Sequence, residues 1–219
     1  MKIILGVSLF ACGALSMAQT YNFAGDFSVT NGNPNGVWSY GYETTLGGAF
    51  INHSEGFVSG DHLWWRTNLE SSGVPATFKN TGITPGIGGL LPGKAALHPG
   101  PGTGEYSVAR FTSPGLVGTL DINGSFGQGD AGIVSVYILK NGVQVFGNNV
   151  TISDEFFSIS TSIGAFDTID FIVGSSGIIN SDTTPLDANL VLTQSVPEPA
   201  SLSIVALGSL AFLRRKKSK

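Results

Sequence analysis

One cysteine, two methionines and three histidines are all the sulfur and imidazole that the 219 residues contain. A single Cys excludes a disulfide framework within one chain, and with it a Cys-based zinc site. Charge is scarce as well: Asp, Glu, Lys and Arg together make up 12%, about half the usual share. A coiled coil or long-helix protein, rich in Ala, Glu, Lys and Leu, is thereby excluded. The formal net charge of −4 argues against nucleic acid as a partner, since phosphate binding needs a basic surface. What is abundant is glycine, at 31 residues, and aromatic surface, at 22 Phe, Tyr and Trp. That much surface to bury excludes a disordered chain. The length allows one domain with appendages.

The few charges are unevenly placed. Five of the 11 basic residues are Arg214, Arg215, Lys216, Lys217 and Lys219, and a sixth is Lys2. Residues 19 to 195 keep five basic against fourteen acidic side chains, a formal charge of −9. An acidic body therefore lies between two basic ends, and each end also carries an apolar run.

At the start, Lys2 precedes the apolar run Ile3 to Leu15, and Ser16-Met17-Ala18 follows with small residues at −3 and −1. This is the pattern of a secretory signal peptide over residues 1–18, cut between Ala18 and Gln19 by signal peptidase. Removal of Met1, Cys12 and Met17 would leave a mature chain without sulfur. A lipoprotein reading of Cys12 is the alternative, with bulky Phe10 against it.

At the other end, Val196-Pro197-Glu198-Pro199 leads into an apolar run, Leu202 to Leu213, and then Arg214-Arg215-Lys216-Lys217. Two prolines remove backbone donors and enforce an extended stalk. Twelve apolar residues make a helix of about 18 Å against a hydrocarbon core of about 30 Å, so basic side chains must snorkel to the headgroups. Under the positive-inside rule the basic stop is cytoplasmic and the acidic body faces outward. An ordinary tail anchor is the plain alternative.

This stalk, helix and basic stop resemble the PEP-CTERM sorting signal of Gram-negative bacteria, also labelled the ice-binding protein C-terminal domain. The resemblance covers residues 195–217, within a sorting and anchor segment of residues 195–219. It implies recognition and cleavage by exosortase near Pro197-Glu198-Pro199 and a transient inner-membrane anchor. It further implies a place at the cell surface or in the exopolysaccharide matrix of a biofilm. The sequence holds no flat, Thr-rich repeat of the kind ice binding would need.

The body, residues 19–194, reads as all-β, an antiparallel sandwich or jelly roll. Ile133–Leu139 is β-branched and aromatic, and Asn141-Gly142 then makes a hairpin signal before Gln144-Val145-Phe146. Thr168–Val173 places Ile169, Phe171 and Val173 on one face. Phe157 and Ile159 alternate with serines, Leu190–Leu192 reads as a last buried strand, and Glu105–Phe111 and Leu116–Phe126 add two more. Asn123-Gly124 reads as a turn or bulge. Residues 72–104, rich in Gly and Pro, read as a long loop crossing the domain. The segment from Leu97-His98-Pro99-Gly100 through Thr183-Thr184-Pro185-Leu186, with landmarks at Ala109-Arg110-Phe111, Val136-Tyr137-Ile138, Asn141-Gly142 and Asp167–Val173, resembles a module of exported bacterial proteins. So does Asn33–Gly41. That resemblance implies a carbohydrate-binding-like β-sandwich.

Candidate sites are few. Gly88 to Ala95 has the first part of a phosphate loop, but Ala95 stands where a Ser or Thr must hold magnesium, so it is a Gly-rich loop. His53, His62 and His98 fit no metal or catalytic spacing, so neither a metal nor a cofactor is expected. There is no Gly-x-Ser-x-Gly elbow. Asp182 and Asp187 offer oxygens for calcium, although loop capping is the commoner use of such residues. Trp38, Tyr40 and Tyr42 alternate and so share a face, whereas the adjacent Trp64 and Trp65 point oppositely. These five form either a sugar-stacking platform or part of the core. The expectation is a noncatalytic surface protein with a polysaccharide-binding or adhesive role; alternatives are a secreted polysaccharide hydrolase and homophilic assembly.

Overall fold

The computed structural model describes residues 17–67, 74–101, 105–130, 132–150, 153–175 and 181–195. Residues 1–16 of the signal, the Val196-Pro197-Glu198-Pro199 stalk, the apolar helix and the basic stop lie outside the described residues. Among the described residues no helix is long and apolar enough to cross a membrane.

Among the described residues fourteen strands and one α-helical turn follow in order, with a short 3-10 turn (Ile87–Gly89) between the sixth and seventh strands. They are β1 (Ala18–Asn22), α1 (Phe23–Asp26), β2 (Trp38–Glu43), β3 (Ile51–Asn52), β4 (Glu55–Ser59), β5 (His62–Arg66), β6 (Ala76–Asn80) and β7 (Ala95–His98). Then come β8 (Tyr106–Thr112), β9 (Gly118–Phe126), β10 (Val134–Lys140), β11 (Val143–Val150), β12 (Glu155–Ile163), β13 (Thr168–Ser175) and β14 (Thr184–Gln194). One sheet runs β12-β9-β14-β7-β6-β5-β4, with β1 paired to β14 beyond its contact with β7. The other runs β11-β10-β13-β8-β2-β3. Every pairing is antiparallel. The all-β sandwich expected from the sequence is the observed architecture.

The alternation of strand side chains builds the core. Leu120, Ile122 and Phe126 of β9, Leu186, Leu190 and Leu192 of β14, and Phe157 of β12 pack against Val136, Ile138, Ile169, Phe171 and Val173 of the facing sheet. Trp38 closes this core at one end, with its ring 5.5 Å from Phe23 and 5.7 Å from Phe111. The hairpin at Asn141-Gly142 has positive φ at both residues, 50° and 77°, as a tight turn between twisted strands requires.

Two expectations are corrected. Asn123-Gly124 is neither turn nor bulge: it lies inside β9, paired without interruption to β12 and β14. Gly124 is needed because a β carbon there would collide with the Asp187 carbonyl oxygen and the Phe157 ring. Residues 72–104 do not form one long loop, because the segment supplies β6 and β7 to the middle of the larger sheet. Glycine and proline there all fall outside the two strands, half of them in the connection between β6 and β7, which dilutes the strand pattern.

Candidate functional site

The aromatic candidates part company in the folded chain. Trp38 and Tyr40 are fully buried, and Trp65 is nearly so, its ring stacked on Tyr40 at 6.3 Å. Tyr42 is partly buried and stacks on His53 at 6.1 Å. These four belong to the interior and its margin, so the five residues form no single platform. Trp64, the neighbour of Trp65, points outward.

A different surface assembles around Trp64. Strand register places Phe57, Trp64, Phe78 and Ala96 in one row across β4, β5, β6 and β7. Glu55, Arg66, Ala76 and His98 form the row beside it. Both rows lie on the outer face of the sheet, since the alternate residues Trp65, Leu97 and Ala95 belong to the core. Trp64 is stacked between Phe78, at 4.4 Å, and Phe57, at 6.2 Å with the planes 6° apart. The Arg66 guanidinium lies 4.7 Å above the Phe57 ring, while its Nε donates to Glu55 Oε2 at 2.9 Å. This ion pair is partly exposed, at 32% and 46%, so its contribution to stability is small. It directs donors and acceptors along the edge of an apolar floor. A cavity of about 350 Å³ opens here, lined by Phe57, Trp64, Arg66, Phe78, Ile87 and His98 among others. That is the lower end of the range for ligand sites.

The sequence signal for this surface was the run Glu55 to Arg66. Ser59-Gly60-Asp61 divides two short alternating segments, and Gly60 has φ of 55°. A hairpin read there would have set Phe57 opposite Trp64. Phe78 has no local signal, because its five-residue strand is flanked on both sides by Gly and Pro.

The histidines and acids have separate places. His98 Nδ1 donates to the Pro99 carbonyl oxygen at 2.8 Å. His62 Nε2 accepts from the Ile87 N–H at 3.4 Å. His53 is buried on the other sheet's margin, its Nδ1 3.1 Å from the Thr67 hydroxyl, and burial pulls it down to about 3. Asp187 accepts from Lys94 Nζ at 3.1 Å. Asp182 is buried, which raises its carboxyl above the usual range. Among the described residues no three His, Cys, Asp or Glu side chains are grouped to hold a metal.

The Gly88–Ala95 segment cradles no phosphate. Gly88 and Gly89 have positive φ in a short 3-10 turn, Leu90 is buried on Phe78 and Ala96, and Ala95 begins a strand rather than a helix. Lys94 is held by Asp187.

One further acid is strongly perturbed. Glu43 is 1% exposed on the outer face of the second sheet, and burial, reinforced by Asp170, pushes it up to about 7. Its Oε2 accepts from the Gly47 N–H at 2.9 Å. Arg110 donates from Nε and Nη2 to Asp170 at 2.6 and 2.9 Å, and stands 3.7 Å from Glu43. Phe50 covers the guanidinium at 4.2 Å. The raised acid therefore sits beneath a loop and holds that loop.

Residues 195–217 match the family described as the PEP-CTERM protein-sorting motif. The tail is a PEP-CTERM sorting motif. It marks an exported protein sorted to the cell surface, and implies processing by exosortase. No curated protein matches the chain in sequence.

Among solved structures, the CBM36-1 domain of a multidomain xylanase from the hindgut metagenome of Trinervitermes trinervoides is 14% identical. That match covers 47% of this chain and 79% of that one, with a TM-score of 0.32. A family 35 carbohydrate binding module from Clostridium thermocellum is 11% identical over 44% and 76% of the two chains, with a TM-score of 0.30. GITRL from bushbaby is 16% identical over 42% and 74%, also at 0.30.

Proposed function

We propose that this chain is a noncatalytic exported protein whose PEP-CTERM tail delivers it to the cell surface or extracellular matrix, where its outer sheet face binds polysaccharide. Signal peptidase removes residues 1–18, and exosortase acts near Pro197-Glu198-Pro199 after a stage anchored in the inner membrane. The supporting observation is a floor of partly exposed Phe57 and Trp64, backed by the buried Phe78 and flanked by the Glu55–Arg66 pair. Sugar rings present apolar C–H faces that stack on such a floor, and hydroxyls that bridge a carboxylate and a guanidinium. Aromatic side chains suit this use because they provide a large area with little entropy to lose.

Two experiments test the reading. In sedimentation with insoluble or cross-linked polysaccharides, wild type is expected to bind at least one, without bond cleavage, and Trp64→Ala to lose at least tenfold in affinity. Release of reducing ends would overturn the noncatalytic reading. Replacing Pro197 and Glu198 is expected to leave uncleaved protein in the inner membrane, and normal release would contradict exosortase processing.

A further inference from the structure

The cavity beside Trp64 is not alone on its sheet face. A second, of about 420 Å³, lies over β12, β9 and β14, lined by Phe156, Ser125, Asp187, Lys94, Asp154 and Leu91 among others. Ser125, Asp187 and Phe156 occupy one cross-strand row, on the side of the sheet opposite Leu120, Ile122 and Phe126 of the core. This is the same outer face that presents Trp64.

The two cavities repeat one chemistry. Each has an outward aromatic ring, Trp64 with Phe57 in one and Phe156, 75% exposed, in the other. Each has a partly exposed ion pair, Arg66–Glu55 in one and Lys94–Asp187 in the other. Between them stands the connection from β6 to β7, whose Ile87 lines the first cavity and whose Gly89, Leu90 and Leu91 line the second. That connection is pinned. Asn80, itself buried, donates through Nδ2 to the Thr84 and Leu90 carbonyl oxygens, both at 2.8 Å, and Leu90 is seated on Phe78 and Ala96. It forms a fixed ridge.

Resting on the polysaccharide reading, we infer that these cavities are two subsites for one extended, electrically neutral glycan chain that crosses the ridge. From β5 to β12 there are five strand steps, about 24 Å at about 4.8 Å each, which a chain of several sugar residues spans and a disaccharide does not. The charge pattern selects neutrality. Each cavity's basic group is already paired with a carboxylate, and Asp154 adds a negative charge, so an acidic glycan meets no uncommitted cation in either lining. Two weak subsites on one rigid face gain from effective concentration, so affinity rises with chain length until both are filled.

The test uses the full-length protein in detergent, titrated with cello-, xylo- and isomalto-oligosaccharides from dimer to octamer, plus an alginate octamer as the acidic control. For the series that binds, affinity is expected to rise at least tenfold between trimer and octamer. Phe156→Ala should cost the octamer at least fivefold and leave the trimer within twofold, whereas Trp64→Ala should weaken both. Equal trimer and octamer affinity, an octamer indifferent to Phe156→Ala, or preferred binding of alginate would each overturn the two-subsite inference while leaving binding at Trp64 intact. Failure of wild type to bind any neutral oligomer would overturn the underlying reading as well. Ser160→Ala, exposed on the same face of β12 as Phe156 and outside both linings, is expected to leave melting, trimer and octamer affinity unchanged and serves as a control for general damage to the face.

Discussion

Trp64 and Trp65 are joined by one peptide bond and serve opposite sides of the same sheet. Trp65 stacks on Tyr40 inside the sandwich, and Trp64 stacks on Phe78 outside it. The pleat of β5 alone separates a core residue from a surface one.

Their substitutions should therefore separate stability from binding. Trp65→Ala opens a large hole beside Tyr40 and is expected to cost about 3–5 kcal/mol. Trp64→Ala removes a partly exposed ring and should cost about 1–2 kcal/mol while abolishing polysaccharide retention. Urea unfolding and polysaccharide pull-down, run on both variants, check the contrast.

Stability should peak in mildly acidic solution. Glu43 is raised to about 7 from 4.5, so the folded state holds its proton more tightly and stability falls as pH rises between those values. His53 is lowered to about 3 from 6.5, so the unfolded state binds the proton and stability rises with pH between about 3 and 6.5. The two slopes offset each other between about 4.5 and 6.5. Thermal melting against pH should show this plateau. Glu43→Gln should remove the loss above it, and His53→Gln the loss below it.

Removing Arg110 should be severe. Arg110→Met would leave Asp170 and Glu43 buried beneath Phe50 without their cation, at an expected cost of about 3–5 kcal/mol. The double variant Arg110→Met with Asp170→Leu should recover much of that loss, as measured by chemical denaturation.

Gly124→Ala should destabilise far more than Gly60→Ala. A β carbon at Gly124 meets the Asp187 carbonyl oxygen and the Phe157 ring, whereas at Gly60 it meets nothing and only the positive φ opposes it. Expected costs are about 2–4 kcal/mol against about 1 kcal/mol, read from thermal melting.

The strands legible in the sequence were those whose apolar residues are β-branched and contiguous, as in Val134–Lys140 and Thr168–Ser175. Those missed draw their burial from alanine and from neighbours: Ala76 to Asn80 and Ala95 to His98 gain a sheet only by pairing with each other and with β5 and β14. The site was half legible for the same reason. Trp64 was visible as an aromatic that must oppose Trp65, but its partners Phe57 and Phe78 are set by cross-strand register. Strand alternation placed Trp38 and Tyr40 on one face without saying which face is wet. The Asn33–Gly41 segment brings them beneath Phe23 and Phe27, and that depends on a packing partner outside the segment.

The position of β14 also bears on the order of events during export. It is the last strand of the body to be made, yet it lies between β9 on one side and β7 and β1 on the other. Until residues 184–194 have crossed the membrane, the larger sheet is two unjoined pieces, and Gln19 to Asn22 has no strand to pair with. The sorting motif begins at the next residue, Ser195. Completion of the domain and arrival of its address at the membrane are therefore nearly simultaneous. A body that has closed is one whose tail is already in place to be read.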